Sequence, residues 1–101
     1  MTLLSTAFPD YPASDLPPIP AHWVDASWHN DACPSFMVSG LQVFIDYADP
    51  DRREAGDVRF HVMEAETARS IIATDDWQAV IDAVDDYVAE GIDAEAERSR
   101  A

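Results

Sequence analysis

The residues with the greatest capacity for chemistry lie close together in segment 21–36, AHWVDASWHNDACPSF. Histidine, aspartate and cysteine are ligand types that zinc uses, and His29, Asp31 and Cys33 are each separated by one residue. Structural zinc sites usually pair two cysteines or two histidines at short spacings, and this segment has neither pair. Even with His22 and His61 included, the sequence favours ordinary structural side chains and predicts no metal site.

Catalysis by a thiolate is the other chemistry that this segment suggests. Cys33 would need His29 or His61 beside it, a lowered thiol pKa and a third group to orient the histidine. Nearby carboxylates instead raise a thiol pKa, and a lone cysteine is commonly a small buried side chain. No phosphate-binding glycine loop, EF-hand or nucleophile elbow occurs. The sequence therefore predicts a protein that is not an enzyme and has no cofactor.

Carboxylates dominate the composition, since 20 Asp and Glu residues oppose six arginines, lysine is absent and the formal net charge is -14. Phosphate and anionic lipid are bound through Lys and Arg, so direct binding to nucleic acid or to membranes is disfavoured. No apolar run approaches the roughly 20 residues of a membrane-spanning helix. With one cysteine and no recognisable signal peptide, we expect a cytoplasmic protein.

Segment Thr74–Gly91 has the pattern of one amphipathic helix. Its apolar residues recur at the i, i+3, i+4, i+7 spacing that forms a stripe on a 3.6-residue period. Thr74 or Asp75 is predicted to cap the first amides, and Gly91 to take the left-handed position after the last turn. The stripe consists of Trp77, Val80, Ile81, Val84, Tyr87 and Val88.

The opposite side of this helix is acidic, with no Lys or Arg expected within reach. Residues four apart on a helix rise about 6 Å, which is comparable to the spacing of phosphates along a nucleic-acid strand. One interpretation is therefore a surface that imitates DNA and binds a basic, nucleic-acid-binding partner; the alternative is a solvated helix face. The predicted partner-binding residues are Asp75, Asp82, Asp85, Asp86, Glu90 and Asp93.

Two alternating segments precede this helix and predict an antiparallel hairpin. Leu41–Ala48 and Val58–Met63 each have apolar residues at every second position, with a polar connection between them. Phe36–Val38 and Arg69–Ala73 are shorter strand candidates. The fold class is therefore a small two-layer α+β domain over residues 21–92, an antiparallel β-meander of three to four strands packed against one C-terminal amphipathic helix.

Residues 1–20 and 93–101 flank this domain. Five prolines predict that residues 1–20 form an extended arm without a helix or central strand. The apolar side chains Phe8, Tyr11, Leu16 and Ile19 are expected to pack it at least partly onto the domain. Residues 93–101 form an acidic and polar C-terminal tail in this interpretation.

The predicted sheet has a second face, which carries Phe44, His61 and Met63 and needs a cover. Trp23 and Trp28 are candidates for that cover, and the interface of a homodimer is the alternative. This supports a second hypothesis for function, in which a small cytoplasmic interaction or self-associating scaffold domain binds through Trp23, Trp28 and Phe44.

In composition the chain resembles the small, acidic, lysine-poor inhibitors of phages and plasmids that block restriction or CRISPR nucleases by imitating DNA. This resemblance covers no diagnostic motif and assigns no residues. What it implies is a non-enzymatic inhibitor that sequesters a basic nucleic-acid-binding protein, which agrees with the acidic helix face.

Overall fold

Five antiparallel strands, in chain order, form one sheet beside a long C-terminal helix. The computed structural model describes residues 3–53 and 58–100, and for residues 91–100 it describes the backbone alone. The elements are helix α1 (Leu3–Ala7), strands β1 (Val24–Asp25), β2 (Ser35–Val38), β3 (Leu41–Ile45), β4 (Phe60–Glu64) and β5 (Ser70–Thr74), and helix α2 (Trp77–Arg100).

Each strand pairs with its neighbour in the chain, so the sheet order is β1-β2-β3-β4-β5. Val43 lies opposite Phe36 on one side and Val62 on the other. The β2–β3 turn consists of Ser39 and Gly40, whose φ angles of 49° and 81° match a tight two-residue hairpin. The predicted α+β meander is confirmed, and the short β1 brings the strand number to five.

The core lies on one face of the sheet, where alternate residues of β3 and β4 point. The side chains of Leu41, Val43, Ile45, Phe60 and Val62 are at most 1% exposed. Val80 and Val84 of α2 are buried with them, as the helix stripe predicts. Burial of an aliphatic or aromatic side chain of this size contributes about 1.5–3 kcal/mol relative to exposure. The strands, with apolar residues at every second position, and the helix, with apolar residues every 3.6 positions, therefore supply complementary apolar surfaces.

Helix α2 begins at Trp77, two residues later than a cap at Thr74 predicts and one later than a cap at Asp75 predicts, and it continues past its predicted end. The Asp76 carboxylate accepts a hydrogen bond from the backbone N–H of Gln78 (3.0 Å), and Thr74 Oγ1 accepts one from the N–H of Asp76 (3.0 Å). The predicted stop at Gly91 is wrong, because the helix extends to Arg100. A glycine inside a helix costs only about 1 kcal/mol relative to alanine, and the Ala- and Glu-rich sequence that follows favours helix.

The N-terminal arm covers the other half of the core face. Tyr11 is buried there, and Leu4, Phe8, Leu16 and Ile19 pack against the core, which confirms the predicted packing. The prediction of an extended arm is wrong for Leu3–Ala7, which forms a helix. A helix is possible there because the first proline of the arm is Pro9.

Hydrogen bonds fasten the arm to the sheet. The Tyr11 hydroxyl donates to the backbone carbonyl of Asp46 (3.3 Å), and burial raises the pKa of Tyr11 to about 12. Arg59 donates to the backbone carbonyls of Asp46 and Asp15, and the N–H of Leu4 donates to the Asp25 carboxylate (2.8 Å). The arm is therefore held by polar contacts as well as by apolar burial.

The second face of the sheet carries apolar and uncharged polar side chains. Val24 is 63% exposed, and Met37, Phe44 and Met63 are half-buried. Trp23 is not on this face, because its side chain belongs to the buried core. Its ring is 7% exposed and meets the Trp77 ring edge-on, with centroids 5.6 Å apart. The prediction that Trp23 covers the second face is therefore wrong.

Candidate acidic partner-binding surface

The outer side of α2 presents four carboxylates to solvent. Because the apolar stripe of the helix faces the core, the residues half a turn away project outward. Asp82 also accepts a hydrogen bond from Gln78 Nε2 (3.0 Å), one turn earlier on the same side. We call the exposed set Asp82, Asp85, Asp86 and Glu90 the acidic surface.

Asp75, which the sequence also assigns to this surface, has a structural role at the β5–α2 junction. Its Oδ1 accepts a hydrogen bond from the backbone N–H of Arg59 (2.7 Å) and lies 3.4 Å from Nη1 of Arg53. The charge of Asp75 is thus partly balanced by that of Arg53, and Asp75 joins the β3–β4 connection to the helix. Asp93 lies in the part of α2 whose side chains are outside the described residues.

The arginines near the sheet are bound to carbonyl oxygens of their own chain. Arg53 Nε donates to the carbonyl of Tyr47 (2.8 Å), and Nη2 donates to the carbonyl of Ala48 (3.0 Å). Arg52 donates to the carbonyl of Asp10 (3.3 Å), and its guanidinium lies 4.4 Å from the centre of the Tyr47 ring. These cations fasten loops and the arm, at positions away from the acidic surface.

Arg69 takes part in a cluster around Glu64 that joins the β4–β5 turn to α2. Glu64 Oε1 accepts hydrogen bonds from Arg69 Nε (2.7 Å) and Thr67 Oγ1 (2.9 Å), and Oε2 accepts one from the Tyr87 hydroxyl (2.8 Å). These donors, Arg69 first, lower the pKa of Glu64 from its usual 4.5 to about 2.

The same cluster corrects one expectation about the acidic surface. The pKa of Arg69 is raised, mainly by its hydrogen bond to Glu64 and further by the charges of Glu64 and Glu90. A cation therefore lies within electrostatic reach of Glu90, contrary to the sequence interpretation. The sequence analysis did not predict this cluster. The short spacing between Glu64 and Arg69, with a turn between them, could have indicated an ion pair.

The histidine- and cysteine-rich segment is spread over different environments. Cys33 is buried, whereas His29 is exposed with its ring 4.4 Å from that of Trp28. His61 Nε2 lies 3.0 Å from Ser70 Oγ, on the second sheet face. Within residues 3–53 and 58–90, no three His, Cys, Asp or Glu side chains are grouped closely enough to hold a metal ion. The described residues of this segment are therefore not gathered into a group of three potential metal ligands.

Comparison of the chain with family models, curated proteins and solved structures finds no match. No helix in the described part of the chain has both the length and the apolar character needed to cross a bilayer.

Proposed function

We propose that this protein is a non-enzymatic acidic binding protein whose acidic surface occupies the nucleic-acid-binding groove of a basic partner. The observation that carries the proposal is the exposure of Asp82, Asp85, Asp86 and Glu90 on one side of a single helix. Arg69 interacts with this set at its Glu90 end.

The backbone of α2 gives these carboxylates a fixed spacing. Asp82, Asp86 and Glu90 follow one another at about 6 Å along the helix axis. The buried stripe, including Val80 and Val84, holds the helix on the sheet, so the charges do not have to be ordered on binding. A regular row of fixed negative charges is what a groove lined by Lys and Arg recognises in a nucleic-acid backbone.

The size of the charge imbalance supports the same proposal. Solubility of a small domain needs a net charge of magnitude about 2–8, whereas this chain has a formal net charge of -14. Such a field accelerates encounter with a basic partner and makes the association sensitive to salt. The proposed binding should therefore be fast and weakened by salt.

Charge reversal tests the proposal. The variant combines Asp82→Lys, Asp86→Lys and Glu90→Lys. The matched control combines Asp10→Lys, Asp51→Lys and Glu66→Lys, which makes the same change in net charge at exposed positions outside α2. Basic proteins are captured on each immobilised protein from a lysate at about 0.1 M and 0.5 M salt, a range over which exposed charges are increasingly screened.

We expect the wild type and the control to retain a nucleic-acid-binding protein at the lower salt, and the α2 variant to lose it. Added DNA should displace the retained protein, because both ligands would occupy one groove. Equal retention by the α2 variant, or no displacement by DNA, would contradict the proposal. Circular dichroism of each variant shows whether the fold is retained.

A second candidate function is self-association through the second sheet face. Self-association is favoured by an apolar surface on this strongly acidic protein, formed by Val24, Met37, Phe44 and Met63. Two copies that repel each other elsewhere can meet at this surface, because these four side chains carry no charge. Trp23 is buried and Trp28 lies beside α1, so of the three aromatic residues first considered Phe44 alone belongs to this face.

Sedimentation velocity separates the two candidates. Phe44→Glu adds a charge to the centre of the second face, and Asp86→Lys changes the acidic surface instead. Dimers that persist at high salt and dissociate with Phe44→Glu would support self-association. A wild-type monomer at all concentrations would exclude it.

A further inference from the structure

A cavity of about 390 Å³ lies between the N-terminal arm and the core face of the sheet. Phe8, Tyr11 and Leu16 line it from the arm, and Trp23 and Phe36 line it from the sheet side. Helix α2 covers the other half of this face, so the cavity is separate from the acidic surface. Its volume is within the range of small-molecule sites, about 300–1,000 Å³.

The polar groups that border the cavity are already engaged with the protein. The two carboxylate oxygens of Asp25 accept hydrogen bonds from the backbone N–H groups of Leu4 (2.8 Å) and Ser27 (3.1 Å). The Tyr11 hydroxyl donates to the carbonyl of Asp46. What these bonds leave for a ligand is chiefly aromatic and aliphatic surface.

Charge restricts the ligand further. Asp25 is the one charged side chain among the described residues that line the cavity, and it is negative. The formal net charge of the whole chain is -14. An anion would therefore be repelled, whereas an uncharged apolar molecule would meet complementary walls and displace little well-bound water.

We propose that this cavity binds a small, uncharged, aromatic or aliphatic molecule between the arm and the sheet. Such a ligand contacts Tyr11 and Leu16 on one side and Trp23 and Phe36 on the other. Binding therefore stabilises the packing of the arm on the sheet. Since the ligand adds apolar contacts between the arm and the sheet, it should slow hydrogen exchange at the arm's amides, including those of Tyr11 and Leu16.

Two dyes that share the same aromatic rings but differ in charge test whether the cavity prefers an uncharged ligand. N-phenyl-1-naphthylamine is uncharged at neutral pH, and 8-anilinonaphthalene-1-sulfonate adds a sulfonate to the same rings. We expect the uncharged dye to bind at one saturable site, to shift the Trp23 indole N–H resonance and to bind at least tenfold more tightly than the sulfonate. Equal affinity for both dyes, or no saturable binding of the uncharged one, would overturn the proposal.

Position is tested by filling the cavity. Ala13 lines the cavity at an exposed site, so Ala13→Trp places an indole at the cavity with little risk to the fold. Ala89→Trp adds the same group at an exposed site on α2 and serves as the matched control. The first variant should weaken dye binding at least tenfold, and the second should leave it unchanged. Unchanged binding to Ala13→Trp would place the dye elsewhere, for example on the second sheet face, and would refute the proposal.

Discussion

Helix α2 and the N-terminal arm cover the two halves of one sheet face by different means. The helix buries a regular stripe and needs few polar contacts with the sheet. The arm buries irregularly spaced side chains, and its backbone groups bond to the side chains of Asp25 and Arg59. A regular element satisfies its own backbone, whereas an irregular one depends on side chains from elsewhere in the chain.

Trp77 is where the two covers meet, and its removal should have the largest effect. Its ring lies 5.6 Å from that of Trp23, which follows the arm, and 5.2 Å from that of Phe60 in the sheet. We expect Trp77→Ala to lower the free energy of unfolding by about 3 kcal/mol, measured by urea denaturation. Trp28→Ala is the control, because Trp28 is 54% exposed and should change stability by less than about 0.5 kcal/mol. Similar losses in both variants would contradict this view of the core.

Arg59 should matter next, and chiefly for the arm. Arg59→Met keeps much of the side-chain volume but removes the donors to the Asp46 and Asp15 carbonyls, so we expect a loss of about 2 kcal/mol. Arg52→Met, at an exposed site, should cost less than about 1 kcal/mol. Hydrogen exchange should accelerate in residues 3–20 of the Arg59 variant before it does so in α2. Uniform acceleration along the chain would show that the arm and the helix unfold as one unit.

Glu64 provides a pH-dependent test of the α2 half. Its pKa is about 2 in the folded protein against 4.5 ordinarily, so its contribution to stability is complete above 4.5 and is lost as pH falls toward 2. The stability difference between wild type and Glu64→Gln should therefore be constant above pH 4.5 and shrink below it. Tyr87→Phe removes one donor and should raise the Glu64 pKa in a carbon-13 titration. An unchanged Glu64 pKa would contradict the hydrogen bond from Tyr87.

The smallest effect concerns the acidic surface, and it has the opposite sign. Asp86 has a like charge one turn before it and another one turn after it, Asp82 and Glu90. Relief of such pairs by Asp86→Asn should raise stability by about 0.5 kcal/mol. The gain should disappear in about 1 M salt, where the screening length is about 3 Å. A gain that persists at that salt would have to come from helix propensity or local packing.

The α2 half of the molecule was largely predictable because its signals are periodic. Alternation in β3 and β4 and the 3.6-residue stripe of α2 identified the core face. The ends of elements were less predictable, since a cap depends on which of several neighbouring polar residues reaches the amides. Thr74, Asp75 and Asp76 are all capable caps, and Asp76 has that role because Asp75 is bound to Arg53 and the Arg59 amide.

The arm half was predictable only in outline. Proline content indicated an irregular segment and its apolar residues indicated packing, but sequence spacing does not show that Arg59 reaches the Asp15 carbonyl 44 residues away. For the same reason the cavity and the position of Trp23 were not foreseen. Exposure of Asp82, Asp85, Asp86 and Glu90 followed from the helix period, whereas the proximity of Arg69 to Glu90 depends on a tertiary turn.

The order of the strands bears on how the chain folds during synthesis. Each strand of the meander pairs with the one before it, so the sheet can grow as successive segments leave the ribosome, and local pairing of this kind is fast. The arm is made before the sheet, and its anchors Asp46 and Arg59 are made much later. Its aromatic side chains therefore stay exposed while the sheet forms. During this interval the new chain is most prone to aggregate or to bind a chaperone.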